Sequence, residues 1–396
     1  MQALILAGGE GTRLRPLTST VPKPVVPLVD RPFIVYMLEW LRGHGIDDVI
    51  LACGFMADGV GAVLGDGSGL GLRLRYVEEP RPLGTGGALK YAEDLLEDRF
   101  FMLNGDVLTD IDLSAQLRQH ERTGARATLA LIEVDDPSAY GLVRRRDDLS
   151  VAEFVEKPSS DEVDSRLVNA GAYIIERELL EQLAPSGTRL SIERDVFPKL
   201  VDHGLFGYEA NGYWLDIGTP QRYLQATYDI LEGEVQTEIG RRLAQAGGVL
   251  RRGEGDGMEG GDGLAGGDGL AGGERVEGGE GREGGEGVVH APAVLGSDCA
   301  LASGAVLGGR TVVGRGVRIA AGAHVEGSVL LDGCQIGAGS RVSGAILGPG
   351  VRIGDRCHVR GGAVLGENVT VGDDNTLAHG VRIFPGVQLP ASAIAF

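Results

Sequence analysis

The hydrophobic pattern of the chain predicts two different kinds of structure, and the first covers its N-terminal part. Up to about residue 232, short apolar runs alternate with segments whose apolar residues recur every three to four positions. We predict strands at residues 2 to 7, 47 to 53, 72 to 78 and 99 to 104, and helices at residues 32 to 42, 86 to 96 and 220 to 233. This alternation predicts an α/β fold with a mostly parallel sheet.

The second pattern lies near the C-terminus, where an aliphatic residue recurs every six positions. Two double steps, from 325 to 336 and from 342 to 353, measure eleven residues instead of twelve. Hexapeptide repetition with glycine and small residues between the aliphatic positions predicts a parallel β-helix, and the pattern resembles the left-handed type. The repeated positions are Val289, Leu295, Leu301, Leu307, Val313, Ile319, Val325, Ile336, Val342, Ile353, Val359, Leu365, Val371, Leu377, Ile383 and Leu389.

A segment rich in glycine and acidic residues separates the two patterns. Residues 253 to 287 hold 17 glycines and 10 acidic residues, with too little apolar surface to offset the entropy of ordering the chain. We expect a flexible, self-repelling spacer, with an acidic interaction segment as the alternative. The predicted organisation is a domain at 1–233, a connection at 234–252, the spacer at 253–287 and the β-helix at 288–396.

Composition and charge narrow the classes of partner. The chain has 396 residues, of which 43% are apolar, enough for two hydrophobic cores. Its net charge of -19 argues against nucleic acid or an anionic membrane, because both require basic surfaces. The cysteines form no C-x-x-C pair, and no apolar run reaches the ~18 residues typical of a membrane helix. We expect a soluble, cytoplasmic protein.

The loop after the first predicted strand carries the first candidate chemistry. Three glycines within four residues, at positions 8, 9 and 11, let the backbone approach a ligand closely. A Walker A loop would need Lys followed by Ser or Thr, and the dinucleotide fingerprint would need glycine at position 14, which is leucine. Arg13, and Lys23 held between two prolines, supply cations. The loop therefore predicts a triphosphate site.

Two aspartates farther along the chain are further candidates, one after a predicted strand and one before a predicted helix. Asp106 ends the apolar run 100–106, and ligands of parallel sheets bind beyond the carboxyl ends of strands. Asp216 lies shortly before Thr219, which can cap a helix that begins at Pro220. Either aspartate alone could be a turn or capping residue. Their occurrence together with the glycine-rich loop favours a functional role for each over a turn or capping role.

These segments together resemble the sugar-1-phosphate nucleotidyltransferases. The resemblance rests on residues 8 to 18, Pro22-Lys23-Pro24, Asn-Gly-Asp at 104–106, Glu-Lys-Pro at 156–158, Asn-Ala-Gly-x-Tyr at 169–173 and Trp-Leu-Asp-Ile-Gly at 214–218. It implies a Rossmann-like domain that transfers a nucleoside monophosphate from a nucleoside triphosphate to a sugar 1-phosphate and releases pyrophosphate. The cofactor that the resemblance implies is Mg²⁺, shared by Asp106 and Asp216.

The resemblance also assigns roles to individual residues. The implied catalytic residues are Arg13, Lys23, Asp106, Lys157 and Asp216. The implied nucleotide contacts are Leu6, Gly8, Gly9, Gly11, Thr12, Arg13, Glu79, Gly84 and Thr85. The implied sugar-phosphate contacts are Gly141, Glu156, Lys157 and Asn169.

Within this family the sequence looks most like the mannose-1-phosphate guanylyltransferases, through residues 82–89 and 191–198. Members that use thymidine or uridine triphosphate carry glutamine where this chain has Glu79. A carboxylate can accept the adjacent N1–H and N2–H of guanine, which favours GTP. Mannose 1-phosphate is the sugar substrate that the resemblance implies. The alternative for Glu79 is a surface position at the strand end, with Glu78 shifting the register.

Other activities stay open from the sequence. The resemblance also extends to glucose-1-phosphate thymidylyl-, uridylyl- and adenylyltransferases, and to catalytically silent regulatory relatives. Such silent relatives typically lose a catalytic cation or a metal-binding carboxylate, whereas this chain has all five of the implied catalytic residues. A lesser alternative is a second activity, acetyl transfer by the β-helix, with a histidine base. The candidate histidines are His290, His324, His358 and His379. The flat faces and open ends of a β-helix predict a homo-oligomer.

Overall fold

The computed structural model describes residues 1–54, 56–159, 163–253, 274–276 and 287–394. Most of the acidic spacer predicted at 253–287 therefore lies outside the described residues, and its flexibility stays a prediction. The chain divides into two compact units. The first unit comprises Met1–Glu10 and Ile34–Asp216, and the second comprises Gly11–Phe33 and Ile217–Phe396.

Strands and helices alternate up to residue 251. The strands are β1 (Gln2–Ala7), β2 (Pro27–Leu28), β3 (Arg31–Pro32), β4 (Asp48–Cys53), β5 (Arg73–Glu78), β6 (Arg99–Asn104), β7 (Val107–Thr109), β8 (Ala127–Glu133), β9 (Gly141–Arg145), β10 (Val151–Glu156), β11 (Leu167–Glu176), β12 (Leu205–Glu209), β13 (Trp214–Asp216) and β14 (Val249–Arg251). The helices are α1 (Phe33–Gly43), α2 (Ala57–Leu64), α3 (Gly84–Tyr91), α4 (Leu113–Thr123), α5 (Phe197–Leu200), α6 (Pro220–Glu232) and α7 (Glu238–Gln245).

The main sheet of the first unit has the order β10-β9-β11-β6-β1-β4-β5, with β8 paired to β11 and β12 paired to β8. Strands β6, β1, β4 and β5 run parallel, which confirms the predicted arrangement around the opening loop. Strand β11 runs antiparallel to β6, β8 and β9. This antiparallel extension was not predicted, because no helical pattern between β8 and β11 indicates the order of these strands.

The four predicted strands agree with β1, β4, β5 and β6 to within a residue at each end. Helix α3 begins two residues before its predicted start and ends at Tyr91. The N–H groups of Gly86 and Gly87 donate to the carbonyl of Leu190, at 2.9 and 3.1 Å, so tertiary contacts fix a start that helix propensity alone would disfavour. Thr219 caps α6 by accepting a hydrogen bond from Arg222 N–H, and left-handed Gly233 ends that helix, as predicted.

The β-helix of the second unit has three flat faces, each a sheet of stacked short strands. Its strands are β15 (Glu274–Val276), β16 (Gly287–Val289), β17 (Ala293–Leu295), β18 (Ala300–Leu301), β19 (Val306–Leu307), β20 (Thr311–Val313), β21 (Arg318–Ile319), β22 (His324–Glu326), β23 (Val329–Leu330), β24 (Gln335–Ile336), β25 (Arg341–Ser343), β26 (Ile346–Leu347), β27 (Arg352–Ile353), β28 (His358–Val359), β29 (Val364–Leu365), β30 (Thr370–Val371), β31 (Thr376–Leu377), β32 (Arg382–Ile383) and β33 (Gln388–Leu389). From β16 onward neighbouring coils pair in parallel, the architecture expected for the left-handed type.

The two irregular steps of the hexapeptide pattern have a structural explanation. Paired residues of successive coils are 18 positions apart at Leu295 and Val313, but 17 apart from Val313 to Leu330 and from Leu330 to Leu347. Leu330 and Leu347 fill the inward positions that a strict count of six passes over. Shortened corners at Gly327 and Gly344, both left-handed, account for the missing residue in each coil.

One face of the β-helix is buried on both sides. We call the sheet β14-β17-β20-β23-β26-β29-β32 the covered face. Inward side chains alternate with outward ones along each strand, and the outward residues of this face are also at most 5% exposed from Leu250 to Val364. Tyr228 of α6 donates to the carbonyl of Gly327, and Glu232 of α6 pairs with Arg310 at 2.6 Å. Helix α6 therefore packs on this face.

No helix in the described part of the chain combines the length and the apolar character needed to cross a membrane. All four cysteines are free thiols. Cys334 and Cys357 belong to the apolar interior of the β-helix.

Candidate active site

A close approach of two strands fixes the segment after β6. Gly105 N–H donates to the carbonyl of Leu6 at 2.9 Å, and a Cβ on Gly105 would lie only 2.6 Å from that oxygen. Only glycine fits at this separation. Leu6, a predicted nucleotide contact, is thereby held against the turn that carries Asp106.

Glu79 faces the glycine-rich loop. Its Oε1 lies 3.0 Å from the position of a Cβ on Gly8, and its Oε2 accepts the N–H of Leu83 at 2.9 Å. Burial raises the pKa of Glu79, and the hydrogen bond from Leu83 partly offsets that rise. Glu78 is exposed, whereas Glu79 is half-buried. The register therefore turns Glu79 inward and leaves Glu78 in solvent.

Strand pairing brings the two candidate metal ligands to neighbouring positions. Strands β7 and β13 are antiparallel, and Asp216 pairs with Val107, the residue after Asp106. Asp110 supports the same pair of strands from the other end, where its carboxylate accepts the N–H of Tyr213 at 2.7 Å. Two carboxylate-bearing residues from positions far apart in the sequence thus meet at one end of a short sheet.

The donor set fits a magnesium ion. Mg²⁺ prefers oxygen ligands and is commonly held by one or two carboxylates together with substrate phosphates. Among the residues that the structure describes, no group of three or more His, Cys, Asp or Glu side chains gathers around a possible metal position. Two aspartates are enough for an ion whose coordination shell is completed by oxygens of the substrate.

Gly141 and Glu156 lie opposite each other on β9 and β10. A Cβ on Gly141 would lie 2.8 Å from the ring of Phe154 and 3.0 Å from Oε2 of Glu156, so glycine leaves room for the carboxylate. Burial raises the pKa of Glu156, and the nearby Glu193 raises it further against the opposing charge of Lys157. The two predicted sugar contacts are therefore adjacent.

Lys157 follows β10 with an uncommon backbone conformation. Its φ of 56° lies in the left-handed region, which costs a residue with a side chain about 1 to 2 kcal/mol. Its N–H donates to the carbonyl of Tyr140 at 3.1 Å, which holds the residue in place. Strain of this kind is common where a side chain must be aimed at a ligand.

Asn169, half-buried on β11, hydrogen-bonds to neighbouring groups of the same strand. Its Nδ2 donates to the hydroxyl of Tyr173 at 2.8 Å, and its Oδ1 accepts the N–H of Gly171 at 3.1 Å. Tyr173 is completely buried, and burial raises the pKa of its hydroxyl well above the usual value. Trp214 donates to the carbonyl of Ala170 at 2.8 Å. These bonds tie Asn169 to the strand that bears Asp216.

Gly84 and Thr85 begin α3 in close contact with residues 188–193. A Cβ on Gly84, whose φ is +75°, would lie 2.7 Å from the carbonyl of Leu190. Thr85 Oγ1 accepts the N–H of Ile192 at 2.9 Å and donates to Glu193 at 2.6 Å. The hydroxyl of Thr85 thus holds protein groups, and a nucleotide contact from this residue stays a prediction.

Gly9 belongs to the first unit, whereas Gly11, Thr12, Arg13 and Lys23 belong to the second. Gly11 has a φ of 61° and precedes the short 3-10 turn Thr12–Leu14. A Cβ on Gly11 would meet Thr18 at 3.0 Å and Lys23 at 3.1 Å, so Lys23 packs directly on the loop. Thr18, fully buried, donates its hydroxyl to the carbonyl of Gly11 at 2.8 Å. Its structural role was not predicted.

Arg13 packs against a glycine beyond β13. A Cβ on Gly218 would lie 2.7 Å from a terminal nitrogen of Arg13 and 3.0 Å from its Cζ. Gly218 ends the Trp-Leu-Asp-Ile-Gly segment that also contains Asp216. Because Gly218 has no side chain, the guanidinium of Arg13 can lie directly against its backbone.

Sequence reasoning missed three supporting residues: Thr18, Glu193 and Gly218. Thr18 and Gly218 lie inside segments used for the resemblance, yet nothing in the sequence marks their contacts. Glu193 lies in the 191–198 motif, and only the structure reveals its hydrogen bonds with Thr85 and Ser191.

Comparisons with known proteins identify the family of this chain. A family model described as "Nucleotidyl transferase" matches residues 2–233, and one described as "GMPPB C-terminal domain" matches residues 289–394. A mannose-1-phosphate guanylyltransferase of Mycobacterium tuberculosis is 40% identical over 237 residues, which are 59% of this chain and 65% of that protein. A UTP--glucose-1-phosphate uridylyltransferase of Synechocystis is 36% identical over 252 residues, 60% of this chain and 65% of that protein.

A solved structure shares the fold of the N-terminal part. HddC from Yersinia pseudotuberculosis, in a crystal structure complexed with GMP-PN, has a TM-score of 0.50 and 30% identity, covering 57% of this chain and 97% of that one. The chain spans 65% of the length of the two curated relatives named above. Because the first family model matches more than half of the chain, the chain belongs to the nucleotidyl transferase family.

Proposed function

We propose that the protein transfers GMP from GTP to mannose 1-phosphate, forming GDP-mannose and pyrophosphate. The observation that supports nucleotidyl transfer most directly is the pairing of β7 with β13, which sets Asp216 beside the turn of Asp106. The similarity to a mannose-1-phosphate guanylyltransferase supports the choice of sugar and base. The proposed domain limits remain 1–233 for transfer and 288–396 for the β-helix.

Catalysis would depend on position and charge rather than on a covalent intermediate. The oxygen of the sugar phosphate attacks the α-phosphorus in line, and pyrophosphate leaves. Arg13 would hold the triphosphate and neutralise the leaving group, with Lys23 adding a second cation. Lys157 would hold the sugar phosphate.

Asp106 and Asp216 would hold Mg²⁺. When bound, this ion neutralises developing charge on the phosphate oxygens. The sugar hydroxyls would meet Glu156, Asn169 and the backbone of Gly141. Loop backbone at Leu6, Gly8, Gly9, Gly11 and Thr12, together with Gly84 and Thr85, would contact the nucleotide.

Glu79 would select guanine. Its carboxylate is held beside Gly8 and half-buried, as a base-reading group requires. One oxygen accepts the N–H of Leu83, but a carboxylate has about four acceptor positions, so it can still accept N1–H and N2–H of guanine.

The test is a substrate matrix. Purified protein with Mg²⁺ is incubated with each of GTP, dTTP, UTP and ATP against mannose 1-phosphate and glucose 1-phosphate, and pyrophosphate release is followed. GTP with mannose 1-phosphate should give the highest kcat/KM. Faster turnover with UTP and glucose 1-phosphate would show that the protein is a uridylyltransferase instead. No turnover with any pair of nucleotide and sugar phosphate would favour a catalytically silent regulatory protein.

We also propose a cytoplasmic homo-oligomer formed through the β-helix. Phe384 and Val387, in the last coils, are 51% and 38% exposed, which is high for large apolar side chains. Light scattering at micromolar concentration should give a mass above that of one chain, and a strict monomer would refute this assembly.

A further inference from the structure

The outward row of the covered face ends in a charged residue. Register pairs the outward positions coil by coil, and the last pairing places Arg382 after Val364. The five residues before Arg382 are at most 2% exposed, and Arg382 itself is exposed. These five are Val294, Val312, Val329, Ile346 and Val364. The row of buried aliphatic residues thus ends in an exposed cation.

The partner of Arg382 is the loop that carries Arg13. One terminal nitrogen of Arg382 donates to the carbonyl of Arg13 at 3.0 Å and to the carbonyl of Arg15 at 3.2 Å. These two carbonyls flank Leu14, which is buried. A guanidinium therefore connects the β-helix to the backbone on both sides of Leu14.

The same loop is constrained from within. Leu14 N–H donates to the carbonyl of Gly11 at 2.9 Å, and Arg15 N–H donates to that of Thr12 at 3.3 Å. These bonds close the turn from within, and the carbonyls of Arg13 and Arg15 accept from outside it. Hydrogen bonds from a charged donor are stronger than neutral ones. Arg382 thus supplies a charged donor from the β-helix to the backbone of this turn.

We propose that Arg382 is a positioning residue for the nucleotide loop. It fixes the backbone at Arg13 and so the direction in which the Arg13 side chain leaves the loop towards Gly218. The consequence for nucleotide binding rests on the proposed function, in which Arg13 holds the triphosphate. The hydrogen bonds of Arg382 to the loop do not depend on that function. The β-helix therefore contributes to the site through one side chain of its last coils.

The chain provides matched controls. The tripeptide Val-Arg-Ile occurs at 317–319, 351–353 and 381–383. Arg318 and Arg352 occupy outward positions of the sheet β18-β21-β24-β27-β30-β33 and are exposed. Arg352→Gln removes the same charge from the same local sequence on a different face. It separates a loss of charge or of β-helix stability from a loss of contact with the loop.

The kinetic test compares full-length Arg382→Gln, Arg382→Lys and Arg352→Gln. Arg382→Gln should raise the KM for nucleotide about tenfold and leave the KM for sugar 1-phosphate within about twofold, since two charge-assisted bonds to one loop are lost. Arg382→Lys keeps a cationic donor and should be intermediate. Arg352→Gln should match wild type. Equal changes in both KM values, or the same change in Arg352→Gln, would overturn the proposal.

A second readout does not depend on catalysis. Hydrogen–deuterium exchange of a peptide that covers residues 11–20 should become faster in Arg382→Gln and remain unchanged in Arg352→Gln. If wild type turns over no substrate pair, the proposed function fails, while exchange still decides the positioning role. Unchanged exchange at 11–20 in Arg382→Gln would refute the positioning role even in an active enzyme.

Discussion

Replacing Gly218 with alanine should damage activity while leaving the fold intact. The new Cβ would lie 2.7 Å from the terminal nitrogen of Arg13. To reach an ordinary contact of 3.4 Å or more, that nitrogen must move by at least about 0.7 Å. The obstructed atom is the far end of a flexible side chain, so the side chain can move without displacing the backbone. Gly218 is also absent from the residues with positive φ, so alanine suits its backbone.

The size of the effect follows from this displacement. A misplacement of about 1 Å can cost about 100-fold in rate, so we expect kcat/KM to fall about 10- to 100-fold, equivalent to about 1.4 to 2.7 kcal/mol. The free energy of unfolding should change by less than about 1 kcal/mol, since glycine-to-alanine replacement at a permitted backbone position is slightly stabilising.

The assay pairs steady-state pyrophosphate release with thermal unfolding. Gly61→Ala is the control, because a Cβ at Gly61 in α2 meets nothing within 4 Å. Gly105→Ala is the opposite control, because its Cβ would strike the backbone carbonyl of Leu6 and should lower stability. Gly218→Ala with wild-type kcat/KM would show that the position of Arg13 does not matter for turnover.

Three further predictions concern the metal, the cations and pH. Asp106→Asn and Asp216→Asn should each abolish pyrophosphate release and leave far-UV circular dichroism unchanged, because the loss of one metal ligand costs several kcal/mol of transition-state stabilisation; near-normal turnover of either variant with magnesium would contradict the metal assignment. Lys157→Ala should raise the KM for sugar phosphate more than that for nucleotide, whereas Lys23→Ala should chiefly lower kcat, and steady-state kinetics showing the reverse would exchange their roles. Burial lowers the pKa of His120, so the folded protein binds fewer protons there than the unfolded chain, and the stability that neutral His120 contributes should be fully present above pH 6.5 and fall below it. If the melting temperature of His120→Gln changes with pH between 5 and 7 as steeply as that of wild type, His120 is not the source of the pH dependence.

The sequence predicted the parallel strands and the β-helix because both have strong local periodicity. Residues 3–7 and 100–103 are continuous apolar runs, and the inward aliphatic residues of the coils repeat every six positions. It predicted Asp106 and Asp216 as a pair because each belongs to a recognisable segment. These features need no knowledge of distant contacts.

The remaining features depend on contacts between distant segments. Leu330 and Leu347 were passed over because a corner can lose one residue without changing the local composition. Arg382 looks like Arg318 and Arg352 in sequence, and only the sheet to which each belongs separates them. The antiparallel strands β8 to β11 carry no helical pattern that could reveal their order in the sheet.

Guanine selection by Glu79 is the most direct test of the proposed activity. We would measure kcat/KM for GTP, dTTP, UTP and ATP, each with mannose 1-phosphate, in wild type, Glu79→Gln and the control Glu78→Gln. Wild type and Glu78→Gln should prefer GTP, because exposed Glu78 has no part in reading the base. Glu79→Gln should lose about 10-fold or more of the preference for GTP over dTTP and UTP, since an amide matches the pyrimidine edge. A wild-type preference for dTTP or UTP would contradict guanylyl transfer, and an unchanged ranking of the bases in Glu79→Gln would contradict guanine selection by Glu79.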